Sequence, residues 1–197
     1  MKSFWNERYA AAEFVYGIAP NEYFKSALDK LPAGKLLLPC EGEGRNAVYA
    51  ATQSWIVDAF DQSEAGKEKC LQLATANGVS INYQIADALQ FEYGEDQYDV
   101  IALIYAHFPP TIRATIHEKC VQALKKGGII IMEAFNPLQL NNASGGPKDL
   151  SMLYTPEMLQ EDFSVTAIEY IESLQVNLNE GAFHKGIGDV IRLMAKK

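Results

Sequence analysis

Residues 98–106, YDVIALIYA, run almost without a polar interruption. A strand of that kind has to be covered on both faces, which is the condition of a parallel strand in an open sheet with helices above and below. The flanking sequence supplies the other layers. KLLLP (35–39) ends at a glycine turn, and RNAVYAATQS (45–54) then carries Ala47, Val48, Ala50 and Ala51 at helical spacing. WIVDAF (55–60) predicts a second strand stopping at Asp61, SEAGKEKCLQLATANG (63–78) a helix ended by Asn77-Gly78, and VSINYQIA (79–86) a third strand. Pro109-Pro110 stops the run at 98–106 and opens a helix whose stripe is Ile112, Ile116, Cys120, Val121 and Leu124. Gly127-Gly128 is expected to end that helix, with Lys125-Lys126 closing its last turn, before a fifth strand IIIMEAF (129–135).

Strands separated by helices predict right-handed parallel crossovers, and open sheets of this type bind ligands beyond the carboxyl ends of their strands. The last third reads differently. SVTAIEYIESLQVNL (164–178) and GDVIRLMAKK (188–197) alternate as two antiparallel strands joined through NEGAFHKGI, and the polar loop NNASGGPKD (141–149) is long enough to act as a lid. The 197 residues fit a single α/β domain.

A net charge of −8 argues against a nucleic-acid partner, because phosphate binding draws on clustered Lys and Arg. Cys40, Cys70 and Cys120 have no metal-ligand or disulfide spacing, so no metal site is expected and a reducing cytoplasm suits them. The N-terminus MKSFWNERYAAAEF lacks an apolar core, and no uncharged apolar run approaches a membrane span; secretion and membrane insertion are not expected.

The turn after the first strand, LLLPCEGEGRNAVYAA (37–52), carries the chemistry. Gly42 and Gly44 let a ligand approach the backbone, and the helix that follows points free N–H groups at an anionic group. Gly42-Glu43-Gly44-Arg45-Asn46-Ala47 fits the spacing of a dinucleotide fingerprint, with Asp61 placed to grip ribose hydroxyls; a tight turn without ligand is the plainer alternative. NAD(P) and S-adenosylmethionine are the two cofactors this pattern admits. Glu41 and Glu43 put two carboxylates where a pyrophosphate would sit, whereas a negative loop suits the sulfonium and ammonium charges of S-adenosylmethionine. Methyl transfer is therefore the first expectation. A nicotinamide oxidoreductase is the alternative enzyme, and a non-catalytic binding or regulatory protein is a third class.

With those residues in place, the sequence resembles class I S-adenosylmethionine-dependent methyltransferases, and within them the tellurite-resistance and thiopurine-methyltransferase-like branch. FWNERYAAAEFVYGIAPNEYF (4–24) is similar to the branch's W-x-x-R-Y and Y-G-x-x-P-N segment, EGEGRNAVYAA (41–51) to its glycine loop, and YAHFPP (105–110) to the segment after its fourth strand. GGPKDLSMLYTPEML (145–159) and GAFHKG (181–186) are similar to its later loops. Leu38 and Cys40 depart from the usual D-x-G-x-G-x-G. The resemblance implies a Rossmann-like fold with a mostly parallel seven-stranded sheet, helices on both faces and an antiparallel C-terminal strand pair. It also implies an N-terminal segment (1–30) that covers the cofactor, and 136–150 as the lid region.

The implied cofactor contacts are Glu41, Gly42, Gly44 and Arg45 in the loop, Asp61 with Gln62 on the ribose, and Asp87-Ala88 on the adenine side. Tyr105 and His107 would line the methionine end, and Trp5, Tyr9 and Tyr16 would form an aromatic cover over the sulfonium. Each has a structural alternative: a helix cap for Asp61, a turn for Asp87, a surface pair with Glu41 or Glu43 for Arg45, and core packing for the aromatics. His117 is expected to be a solvated helix residue. His184 is the candidate catalytic group, with Phe108 and Phe135 as apolar walls and Lys185 as a polar guide for a small acceptor such as a thiol or an oxyanion.

Overall fold

A computed structural model describes residues 2–197. Two helices lead, α1 (Lys2–Tyr9) and α2 (Glu22–Leu28), followed by β1 (Lys35–Pro39), α3 (Arg45–Thr52), β2 (Ile56–Asp61), α4 (Glu64–Ala76) and β3 (Asn82–Ile85). Then come β4 (Tyr98–Ile104), α5 (Pro110–Ala123), β5 (Leu124–Phe135), α6 (Pro156–Asp162), β6 (Ala167–Asn179) and β7 (Lys185–Lys196). The seven strands form one sheet in the order β3-β2-β1-β4-β5-β7-β6. Strands β1 to β5 are parallel, and β7 runs antiparallel between β5 and β6.

Burial explains why the apolar runs are so continuous. In β4, Ile101 and Leu103 face a core built with Ile116, Cys120 and Val121 of α5, while Val100 and Ala102 face a second core under α2, α3 and α4. Side chains alternate across a strand, so only a nearly unbroken apolar run serves both. Asn77 caps α4 and Gly78 follows with φ of 68°, the usual end of a helix before a turn. No helix among the described residues is long and apolar enough to cross a membrane.

Two expectations fail here. Gly127-Gly128 does not end α5; the helix stops at Ala123, and Leu124 to Gly128 already belong to β5. Tyr98 pairs with Leu124, and the chain end supplies the remaining partners, with Gly127 N–H donating to Lys197 O at 2.7 Å and Lys197 N–H to Gly128 O at 2.9 Å. Lys125 and Lys126 therefore sit on a strand, where Lys125 pairs with Asp99 at 2.8 Å. His117 is not solvated but fully buried, its Nδ1 2.7 Å from Asp162 of α6 and its ring stacked on Phe163.

Candidate functional site

The strand order reverses between β1 and β4, and a crevice beyond their carboxyl ends is the place where open α/β sheets take ligands. The chain leaves β1 through a turn with three left-handed residues at alternate positions: Cys40 (φ 56°), Gly42 (φ 61°) and Gly44 (φ 87°). Cys40 thus adopts the conformation that a first glycine would take, at a cost on the order of 1–2 kcal/mol for a residue with a Cβ. The other two positions need glycine for space. A Cβ on Gly42 would strike the Tyr9 hydroxyl, and one on Gly44, the cap of α3, would land on Cys70 of α4.

The carboxylates of this loop turn inward. Glu41 Oε1 accepts the Asn46 and Ala47 backbone N–H groups at 2.9 and 2.8 Å, the free donors at the start of α3. Burial pushes its carboxyl up to about 7, against the pull of those hydrogen bonds. Glu43 accepts from Val15 N–H at 2.9 Å and pairs with Lys69 at 2.8 Å, which ties the N-terminal segment onto the loop. Asp61 ends β2 with Oδ2 accepting from Gly42 N–H at 3.2 Å and Oδ1 from Ser63 N–H at 2.9 Å. Each oxygen keeps a further lone pair, so the carboxylate fits a pair of ribose hydroxyls. Ser63, not Asp61, caps α4.

Arg45 pairs with neither loop glutamate. It is buried, with Nη2 2.9 Å from Glu180 Oε2 and Nη1 3.4 Å from Tyr16 O. Glu180 also meets His184 Nδ1 at 3.2 Å. Burial alone would raise the Glu180 carboxyl, yet His184 and Arg45 hold it at about 2, while burial lowers the His184 imidazole. The pair therefore stands as an ionised glutamate and a neutral histidine whose Nδ1–H donates. Nε2 makes no hydrogen bond among the described residues and keeps its lone pair free.

Aromatic rings join this histidine to the glycine loop. Trp5 stacks on Tyr9 at 5.4 Å between centroids, Tyr9 meets Tyr16 at 6.4 Å, and Tyr16 meets His184 at 4.5 Å. Tyr105 and Phe135 close the other sides of the imidazole at 4.6 and 5.3 Å. Tyr105 reaches this place through a left-handed backbone, φ 53°, just after β4. His107 serves as a staple: Nδ1 donates to Met152 O at 2.7 Å and Nε2 accepts from Phe135 N–H at 3.2 Å. Burial lowers it to about 4, so it stays neutral in this role.

The remaining predicted residues divide, with Asp87 and Ala88 directly following Ala86, whose N–H donates to Asp61 O at 3.0 Å. Phe108 is in the core under α5, its N–H donating to Tyr154, and Lys185 is exposed at the start of β7. Asp87 holds a turn through Leu89 N–H at 2.9 Å, with Ala88 buried behind it; Gln62 is half-buried beside Asp61. Sequence reasoning passed over Asn21, Glu133 and Glu180. A lone charge within the apolar run IIIMEAF marks Glu133, and an acid four residues before His184 marks Glu180.

Residues 38–128, from the end of β1 into the first residues of β5, match the family described as a methyltransferase domain. No curated protein matches the sequence. A structure from a study of the conversion of a disulfide bond into a thioacetal group in echinomycin biosynthesis has a TM-score of 0.79 at 18% identity, covering 99% of this chain and 88% of its own. TehB from Haemophilus influenzae has a TM-score of 0.73 at 14% identity, covering 100% of this chain and 66% of its own. Magnesium protoporphyrin IX methyltransferase from Synechocystis PCC 6803, solved with bound SAH, has 0.70 at 14%, covering 100% and 97%. The chain thus has the Rossmann-like methyltransferase fold, and its residues 38–128 are similar to the methyltransferase-domain family.

Proposed function

We propose that the chain transfers a methyl group from S-adenosylmethionine to a small molecule. The observation that carries this reading is Glu41: its carboxylate occupies the N–H groups of Asn46 and Ala47, where a dinucleotide would need to place its pyrophosphate. A loop that fills its own anion site suits a cofactor without phosphate, which counts against the nicotinamide alternative. Asp61 would hold the ribose, with the Asp87 turn on the adenine side. Tyr9 and Tyr16 would cover the sulfonium face, with α1 and the 136–150 loop as the movable parts of the enclosure.

S-adenosylmethionine supplies an activated methyl group and departs as a neutral thioether. What remains for the protein is alignment, exclusion of water and removal of a proton from the acceptor. His184 Nε2 would perform that last task, with Glu180, held by Arg45, fixing its tautomer. The aromatic enclosure around it favours a soft acceptor, in keeping with the tellurite-resistance-like resemblance. The test is release of S-adenosylhomocysteine with a panel of thiol, phenol, carboxylate and oxyanion acceptors. Turnover in the wild type that falls at least about tenfold in His184→Ala supports the reading, and absence of turnover across the panel would count against an enzyme.

A further inference from the structure

A cavity of about 630 Å³ opens beside this site, between the segment 16–23 and the β6–β7 pair, within the size range of small-ligand pockets. Its walls include Tyr16, Tyr23, Glu133, Val176, Glu180 and Arg192. Glu133 is only 1% exposed and fully engaged: Oε1 accepts from Asn21 Nδ2 at 2.6 Å and from the Tyr105 hydroxyl at 2.8 Å, and Oε2 accepts from Arg192 Nε at 2.7 Å. Arg192 is held in a second direction as well, its guanidinium lying 4.6 Å above the Tyr23 ring. Nη1 and Nη2 make no hydrogen bond among the described residues, although the side chain lines the cavity.

A guanidinium fixed through Nε and across its face, with both terminal nitrogens free, presents a fork that matches the two oxygens of a carboxylate. Glu180, which lines the same cavity, meets Nδ1 of His184 at 3.2 Å, the imidazole lying behind the wall. We infer that this cavity is the acceptor pocket and that its acceptor is a small molecule bearing a carboxylate, which Arg192 grips while the methylated atom lies toward the end of the cavity where Glu180 and Tyr16, the two lining residues in contact with His184, are found. The inference rests on the methyltransferase reading and adds the substrate class to it. Arg192 is paired with Glu133 and Glu180 with Arg45, which leaves Glu22 as the uncompensated charge of the lining, so a dianion such as a phosphate monoester meets about twice the repulsion of a monoanion.

The test is ligand-observed NMR on the full chain with a matched panel of aryl and short alkyl carboxylates and their carboxamides, run with and without S-adenosylhomocysteine. Binding of S-adenosylhomocysteine itself is measured separately, so loss of the cofactor reading and loss of this one are told apart. At least one carboxylate should bind, its amide about tenfold or more weaker. Arg192→Lys, which keeps a cation beside Glu133 but removes the fork, should weaken the acid about tenfold and leave S-adenosylhomocysteine binding unchanged. The double variant E133Q/R192Q removes both charges of the pair together, and with its fold verified by circular dichroism it should lose the acid's advantage over the amide. No binding by any carboxylate, equal binding of acid and amide, or unchanged acid binding in both folded variants would overturn the inference.

Discussion

Replacing Glu41 by Gln should reverse one slope of the stability curve against pH. Oε1 accepts both backbone N–H groups at 2.9 and 2.8 Å, and the amide oxygen of Gln can keep both; besides ionisation the change gives up only the long 3.5 Å bond from Asn46 Nδ2 to Oε2. The Glu41 carboxyl titrates near 7 in the folded chain against 4.5 for an ordinary glutamate, with burial as the main cause. The folded state then binds more protons than the unfolded state between those values, and stability is lost as pH rises through this window. The 2.5 pH intervals from 4.5 to 7 correspond to about 3.4 kcal/mol at 1.36 kcal/mol each, an upper figure because the residue is only half-buried; about 2–3 kcal/mol is expected. Buried His107, lowered to about 4, works in the opposite direction, since it favours the folded state as pH rises toward 6.5. That contribution is shared by both proteins and cancels in their difference. Urea unfolding followed by circular dichroism at pH 4.5, 5.5, 6.5 and 7.5 should show Gln gaining on Glu by about 2–3 kcal/mol across the range. Parallel curves would show that Glu41 does not occupy the start of α3 as an enclosed carboxyl.

Asp61→Ala should weaken S-adenosylmethionine binding by about 1.5–3 kcal/mol through loss of charge-assisted hydrogen bonds, read by calorimetry. Glu180→Gln should lower the methylation rate and move its acidic limb to lower pH, because the carboxylate that raises the His184 imidazole is gone; a pH–rate profile checks both. Tyr154→Phe strands the Phe108 N–H and the Ala106 carbonyl, now 2.9 and 3.0 Å from the hydroxyl in a fully buried site, at a cost of about 1–3 kcal/mol in denaturant unfolding. Gly44→Ala combines a φ of 87° with a collision against Cys70, and should cost more than about 2 kcal/mol by the same assay.

The parallel strands β1, β2, β4 and β5 were legible because their apolar runs meet two cores, and the helices between them start at recognisable residues, Gly44, Ser63 and Pro109. The start of β5 was not, since Lys-Lys-Gly-Gly is the usual end of a helix and only the partners at Tyr98 and Lys197 make it a strand. Distance along the chain hid the rest. Arg45 finds Glu180 135 residues away, His117 finds Asp162 45 residues away, and Asn21 finds Glu133 112 residues away. No local spacing encodes such pairs. The loop glutamates were visible as carboxylates, but their inward turn depends on N–H groups of α3 and of the N-terminal segment.

The central claim is that the turn after β1 holds S-adenosylmethionine and not a dinucleotide. Isothermal calorimetry of the full chain with S-adenosylmethionine, S-adenosylhomocysteine and NADH tests it most directly. The account predicts saturable heat with the first two, reduced in Asp61→Ala, and none with NADH. Binding of NADH with no response to S-adenosylmethionine or S-adenosylhomocysteine would contradict it.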